Sequence, residues 1–432
     1  MKKALRLMFV AFFLSGLVTE SAVVHFQQVE NKDGVAIVHN GAKGKWDDAP
    51  RIRLELLEML GDEKDDNYLF YGPDAIASDK QGNIYVLDSK NFRVQVFDGR
   101  HRFLRSFGRR GQGPGDFGRP ECIDLDEAGN VYVGDPGNGR IGIFDPSGTW
   151  LRAIRISATN IVFRVLKNGD ILLRNPSLDG GRGLKEGQVP LFRVLDGQGT
   201  LKRQIGQGIF FTRPPFTTGG NRSLMTADEQ GNAYMAFLFQ NRIDKYSPEG
   251  RQIYSADRIL PKDKLMNKEL NLYTTINEGL DVDAQGRVWI AAYTRRWRKG
   301  ELLMKPIVNG EEKIIGDRTE TKTDLFELQI FDPDGVLLQK VPLTHFCDYI
   351  KVVGDRVYIL DKDRLGQFYV YQIKDSPLKF PAPIADRDRT VSRRFKASAL
   401  ASLAGGRPGV QGKRRSALAV GVTARTGTYP VS

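Results

Sequence analysis

The 432-residue chain is 41% apolar, enough for a large core, and its 64 Lys and Arg against 52 Asp and Glu give a net charge of +12. Such an excess would suit a nucleic-acid partner, but residues 1–21 hold a net +2 and residues 381–432 a net +8, which leaves about +2 for everything between. Nucleic acid is therefore not the expected partner, and two cysteines exclude a disulfide-built scaffold.

The chain opens with Lys2, Lys3 and Arg6, an apolar run from Leu7 to Leu17, and small residues at Thr19 and Ser21. That order is the one of a secretory signal peptide over residues 1–21, cleaved near Ser21-Ala22, and the run is too short to span a bilayer comfortably. The protein is expected to be exported, periplasmic or extracellular, with no membrane span after cleavage; the alternative is an uncleaved anchor. Residues 22–50 form a lead-in. The first strand signal follows at Arg51-Ile52-Arg53-Leu54-Glu55-Leu56.

From residue 71 to 151 one pattern of about 47 residues is written twice. Gly82-Asn83-Ile84-Tyr85-Val86-Leu87-Asp88, Arg93-Val94-Gln95-Val96-Phe97-Asp98 and Phe103-Leu104-Arg105 return as Gly129-Asn130-Val131-Tyr132-Val133-Gly134-Asp135, Arg140-Ile141-Gly142-Ile143-Phe144-Asp145 and Leu151-Arg152. Each copy predicts four short antiparallel strands, separated by Asp/Asn/Gly turns in which Gly takes a positive φ. The Gly-x-apolar-aromatic core of the second strand recurs, loosened, at Gly169-Asp170-Ile171-Leu172, Gly231-Asn232-Ala233-Tyr234, Gly286-Arg287-Val288-Trp289 and Asp355-Arg356-Val357-Tyr358, making six copies. The sixth lacks its own fourth strand, since the chain turns polar and Pro-rich after Ile373. The orphan strand at Arg51–Leu56 supplies it, closing a ring and removing an exposed edge.

The fold expected is all-β: a six-bladed β-propeller of four-stranded antiparallel blades over residues 51–378, its ring closed by an N-terminal strand. Residues 379–432, rich in Ala, Gly, Arg, Ser and Pro, read as a basic tail that cannot bury enough to order itself. These motifs resemble the NHL-repeat family of six-bladed propellers, and in particular a bacterial secreted branch with a Gly-rich loop between its first blades, here Gly111-Gln112-Gly113-Pro114-Gly115-Asp116-Phe117. The resemblance covers roughly residues 51 to 373. It implies that Asp88, Asp135 and Asp361, with Arg93 and Arg140, are structural. Blade 1 would separate Cys122 from Cys347, beyond the roughly 7 Å reach of a disulfide.

Every long connection, including Gly108–Pro120, Asn175–Val189, Gly206–Arg222, Asp257–Asn277 and Tyr293–Asp324, belongs to one face of such a ring. Long loops on a rigid scaffold are where ligands bind. Two of them carry aromatic and basic residues of hot-spot composition: Phe211, Arg213 and Phe216 on one, and Arg295, Arg296, Trp297 and Arg298 on the other. Asp74, Glu121 and Glu278 start first strands at the channel mouth and could hold a hard cation such as Ca²⁺. A hydrated polar funnel is the plainer reading. No His cluster, Cys-x-x-Cys or Gly-x-Ser-x-Gly element occurs, and the Gly-rich loop leads to a strand rather than a phosphate-binding helix. The expectation is a monomeric, non-catalytic binding module for a protein, peptide or glycan, with no cofactor. The alternatives are a Ca²⁺-type lyase or hydrolase at the mouth carboxylates and, third, RNA binding.

Overall fold

The computed structural model describes residues 27–175, 189–209, 220–261, 275–298, 300–301, 319–362 and 366–375, with backbone alone for the short strands at 266–267, 272–273, 307–308 and 311–312. Six four-stranded antiparallel blades follow one another along the chain. From the axis outward, blade 1 is Pro73–Ser78, Ile84–Asp88, Arg93–Phe97 and Phe103–Phe107, and blade 2 is Cys122–Leu125, Val131–Asp135, Arg140–Phe144 and Trp150–Arg155. Blade 3 is Phe163–Val165, Ile171–Arg174, Pro190–Leu195 and Leu201–Gln207; blade 4 is Ser223–Ala227, Ala233–Phe237, Ile243–Tyr246 and Gln252–Arg258. Blade 5 is Asn277–Val282, Val288–Tyr293, Phe326–Phe331 and Leu337–Pro342. Blade 6 is Tyr349–Val353, Arg356–Asp361 and Gln367–Asp375, completed by Ile52–Leu60, which pairs antiparallel from Ile52↔Asp375 to Leu60↔Phe368. The ring closes by the N-terminal strand, as expected.

The turn between the first two strands explains why the repeat is legible. Asp79 Oδ1 accepts from the backbone N–H of Gln81 (3.0 Å) and Asn83 (2.8 Å), Gly82 sits at φ +80°, and Tyr85 donates its hydroxyl to Asp79 Oδ2. Asp126 and Asp228 repeat this with Tyr132 and Tyr234, while in blade 5 the Trp289 indole N–H reaches Asp283 Oδ2 at 2.8 Å. One carboxylate thus ties the turn to the strand it introduces. The apolar residues fill the spaces between blades. Ala77, Tyr85, Leu87, Val94 and Val96 of blade 1 pack on Ile123, Val131, Val133 and Phe144 of blade 2, and at the closing seam Leu60, Tyr358, Leu360 and Phe368 pack on Ile84, Val86 and Phe97.

The lead-in departs from expectation, for it is part of the propeller's sheets. Gln28–Lys32 and Val35–Asn40 form a hairpin, and Val35–Asn40 adds in parallel to Gln252–Arg258, so that blade 4 becomes six-stranded. His39, expected to precede the ring, bonds Asp257 at 2.8 Å across that pairing. The chain then straps blade 5: the N–H groups of Lys45 and Trp46 reach the carbonyls of Leu337 and Leu338, and Asn40, almost fully buried, bonds Gly335 O and Leu337 N. A Cβ at Gly44 would lie 2.5–2.7 Å from the Leu338–Gln339 backbone, so the strap passes where only glycine fits.

Contacts divide the chain into Met1–Ser376 and Pro377–Ser432, and the second unit lies outside the described residues. Cys122 and Cys347 are both buried free thiols, as expected from blade 1 lying between them. Among the described residues no helix is long and apolar enough to cross a membrane.

Candidate functional site at the channel mouth

First strands begin, and second strands end, on the face that carries the long loops, and there the axis opens into a cavity of about 330 Å³. Asp74, Glu121 and Glu278 all line it, so the three carboxylates read from the sequence do come together. Each is already engaged. Lys362 Nζ lies 2.6 Å from Asp74 Oδ1, Asn160 donates to Glu121 Oε2 at 3.0 Å beside Arg119, and the Tyr293 hydroxyl donates to Glu278 Oε2 at 2.8 Å. Burial opposes the Lys362 charge, but Asp74, joined by Asp348 and Glu278, outweighs it and raises the ammonium above its ordinary value. Burial, reinforced by Glu278, raises the Tyr293 phenol, which therefore stays a donor.

Four cations, Arg164, Arg174, Arg222 and Lys362, share the lining with these three carboxylates. A hard divalent cation needs oxygen donors free of competing charge. Among the described residues Asp74 already faces an ammonium and Glu121 an arginine, so neither offers such a donor. Among the described residues no group of three or more His, Cys, Asp or Glu side chains is arranged to hold a metal.

The cavity floor is a polar plug. Arg164 Nη1 bonds Phe163 O at 2.9 Å, Thr226 donates to Asp281 Oδ1 at 3.1 Å, Lys351 Nζ lies 3.2 Å from the same oxygen, and Asp124 accepts from Val165 N–H at 2.8 Å. Burial works against the Arg164 charge, yet Asp124 and Asp281 hold the guanidinium firmly protonated. Asp124, Arg164, Thr226 and Asp281 share one register position, two residues before the residue that opens the next turn, Asp126, Leu166, Asp228 or Asp283. Counting back from those turns would have found them; sequence reading stopped at the carboxylates and missed Arg164, Arg174, Arg222 and Lys362.

The blade-5 loop is on the same face. Trp297 is 40% exposed, and Arg296 and Arg298 are exposed beside it. Arg295 is spent internally: its guanidinium forks onto Glu301 at 2.6 and 2.7 Å and also meets Asp324. Arg298 lies 3.3 Å from Asp324, bordering a wider hollow of about 640 Å³ along with Glu301, Lys322 and Pro342. Phe211, Arg213 and Phe216 lie outside the described residues.

Asp88, Arg93, Asp135 and Arg140, four of the five residues assigned structural roles, hold them. Asp135 accepts from the N–H groups of Gly118 and Arg119 and from Asn138, Arg140 bonds the carbonyls of Gly113 and Asp116, and Asp88 and Arg93 serve the blade-1 loop likewise. Phe117 of the Gly-rich loop is buried against Phe144.

The fold and its mouth are those of a six-bladed propeller with a polar axial funnel. Residues 70–97, within the first blade and its lead, match the family model "NHL repeat", so the resemblance read from the sequence is borne out in the blade where it is written most clearly. No curated protein matches the sequence. Among solved structures the fold is similar to that of a Bacteroides fragilis protein described as exported (TM-score 0.51, 11% identity, 79% of this chain and 99% of that one). It is also similar to a DUF4221-family member from Bacteroides vulgatus (TM-score 0.52, 12% identity, 76% of this chain and 99% of that one). A virginiamycin B lyase from Staphylococcus aureus matches at TM-score 0.42 and 11% identity, over 75% of this chain and 99% of that one. At these identities the likeness extends to the fold alone.

Proposed function

We propose that this protein is an exported binding module that takes up a protein, peptide or glycan ligand on its long-loop face, with the mouth cavity as the deepest part of the site. The observation that carries this reading is the cavity itself: a concave, charge-lined space on a rigid ring, with an exposed Trp and two exposed Arg on the same face. Among the described mouth residues Asp74, Glu121 and Glu278 are each held by a neighbouring donor and none is a nucleophile poised beside a base, which favours binding over turnover.

Trp297→Ala should weaken ligand capture on a glycan and peptide array by more than about 1 kcal/mol, the scale of a hot-spot truncation. Its melting temperature should stay within about a degree of wild type, since a half-exposed loop side chain contributes few core contacts. Lost stability with unchanged capture would refute the assignment. The competing reading, a Ca²⁺-dependent lyase or hydrolase using Asp74, Glu121 and Glu278, predicts that millimolar Ca²⁺ raises the melting temperature and a chelator lowers it. We expect neither shift.

A further inference from the structure

In blades 1 to 5 the turn between the first two strands carries a glycine at positive φ, and the residue before it is Gln81, Ala128, Asn168, Gln230 or Gln285. Blade 3 differs twice. Its turn opens on Leu166 where the other four have an aspartate, so Asn168 caps the turn instead. Its Oδ1 accepts from the Asp170 backbone N–H at 3.0 Å, and its Nδ2 donates to Asp170 Oδ2 at 3.0 Å. Asn168 is exposed, and a Cβ placed on Gly169 (φ +79°) would meet nothing within 4 Å. Two other Asn-Gly pairs among the described residues are enclosed. Asn40 is almost fully buried, with its amide divided among Asp257 O, Gly335 O and Leu337 N. Asn138 Nδ2 is held by Asp135 Oδ2 (2.6 Å) and Gly111 O (3.0 Å), and a Cβ on Gly118 would crowd its Oδ1 at 2.8 Å.

We propose that Asn168 is a self-modification site, which loses its amide through a cyclic imide with Gly169 to leave aspartate and isoaspartate, and that the new carboxylate loosens the blade-3 turn. The Gly169 backbone nitrogen gives its proton to water or hydroxide and bonds to Asn168 Cγ. The Cγ–Nδ2 bond then breaks, and Nδ2 takes a proton from water and leaves as ammonia. Water opens the five-membered ring at either carbonyl: cleavage at Cγ gives aspartate, and cleavage at the Asn168 main-chain carbon gives isoaspartate. Water is the only co-reactant. A glutamine in this place must close a six-membered ring, which is slower, and an alanine has no amide to lose. The Asp170 N–H already lies on Oδ1, the atom that takes up negative charge as the nitrogen adds. The Gly169 N–H must first leave Leu166 O (2.8 Å), a single bond at a turn tip of the kind that opens locally. Open space around Gly169 then admits the ring. Asp170 is almost fully buried and is held by Lys202 Nζ at 2.7 and 3.0 Å. Replacing its Asn168 donor by a second carboxylate removes a hydrogen bond and adds like-charge repulsion.

The test is to hold the purified protein in mildly alkaline buffer and map its peptides by mass spectrometry over time. A sample unfolded in denaturant, where every Asn-Gly pair can react, is the reference for detection. In the folded protein Asn168 should convert to a mixture of aspartate and isoaspartate while Asn40 and Asn138 keep their amides. Asn168→Gln should abolish the change at this turn, and Asn168→Asp should lower the melting temperature of fresh protein. Asn168 outlasting Asn40 or Asn138, staying intact when the unfolded reference has fully converted, or giving aspartate without isoaspartate would overturn the proposed route. An unchanged melting temperature in Asn168→Asp would overturn the proposed loosening. Asn309-Gly310, outside the described residues, is followed as a separate peptide and enters neither comparison.

Discussion

Gln339 occupies the register position that Arg105, Arg152 and Arg203 hold in the first three blades, four residues after the positive-φ residue of the preceding turn. Those arginines each reach a turn carbonyl of the next blade, at Pro146, Gly197 and Pro248. Blade 6 offers no such turn, because its outer strand arrives from the N-terminus. The shorter amide takes over, accepting from the N–H of Arg51 (2.9 Å) and Ile52 (3.0 Å) and donating to Ile52 O (2.7 Å). Gln339→Ala should leave the buried Ile52 groups unsatisfied and cost about 1–3 kcal/mol in chemical denaturation. At Glu301, hydrogen bonding from Arg295 outweighs burial and holds the carboxyl down to about 2, from an ordinary 4.5. A depressed folded-state value means that the stabilisation is complete above about 4.5 and fades as pH falls toward about 2. The melting-temperature gap between wild type and Glu301→Gln should therefore be widest near neutrality and close over that acid range.

Two N-terminal elements do different work and should separate on truncation. The hairpin Gln28–Lys32/Val35–Asn40 extends blade 4, whereas Ile52–Leu60 supplies a strand that blade 6 lacks. Removing residues 27–50 should lower the melting temperature by a few degrees and leave a cooperative transition; removing residues 27–60 should give aggregated protein, seen by size-exclusion chromatography, because an apolar blade edge is then open. Only the second element was legible beforehand. Its alternation over residues 51–56 and the missing fourth strand after Ile373 identify it, although its burial alternates only from Ile52 to Glu55. The hairpin carries no such signal: all five residues of Gln28–Lys32 are exposed, and its parallel docking depends on Asn40, His39 and Gly44 meeting a surface built from residues 252–258 and 335–339. The mouth was half legible for a similar reason. Acidic residues at strand starts stand out, but Lys362 and Arg174 reach it from second-strand ends, where the repeat varies most.

Across the ring, four of the seams repeat one device. The turn glycines Gly148, Gly199, Gly250 and Gly335 lie so close to Phe107, Ile154, Ile205 and Tyr254 of the preceding blade that a Cβ would meet those side chains within 3 Å. Blade 1 has His101 at that position, with φ +57°, and it fills the closing seam by bonding Glu58 Oε1 (2.6 Å) and the Tyr358 hydroxyl (2.8 Å). His101→Gly would relieve the positive φ but strand Tyr358 and open a void, so a net loss of about 1–3 kcal/mol is expected in denaturant titration. Gly148→Ala should destabilise through both its φ of +92° and the neighbouring Phe107, and the two losses should add, being at separate seams.

The closure by Ile52–Leu60 also sets an order of events in time. The strand that completes blade 6 precedes blades 1 to 5 in the chain, while its partner Gln367–Asp375 is the last strand of the ring. Until that partner emerges, a nine-residue strand whose Ile52 and Leu60 are buried in the finished ring waits without its mate. Blades 1 to 5 can assemble from contacts local in sequence, but the ring cannot lock until its two ends meet, and that long loop closure makes the final step slow. The growing chain is thus most exposed to mispairing just before it is finished, and a helper that shields one early strand would serve it better than one that speeds the folding of any blade.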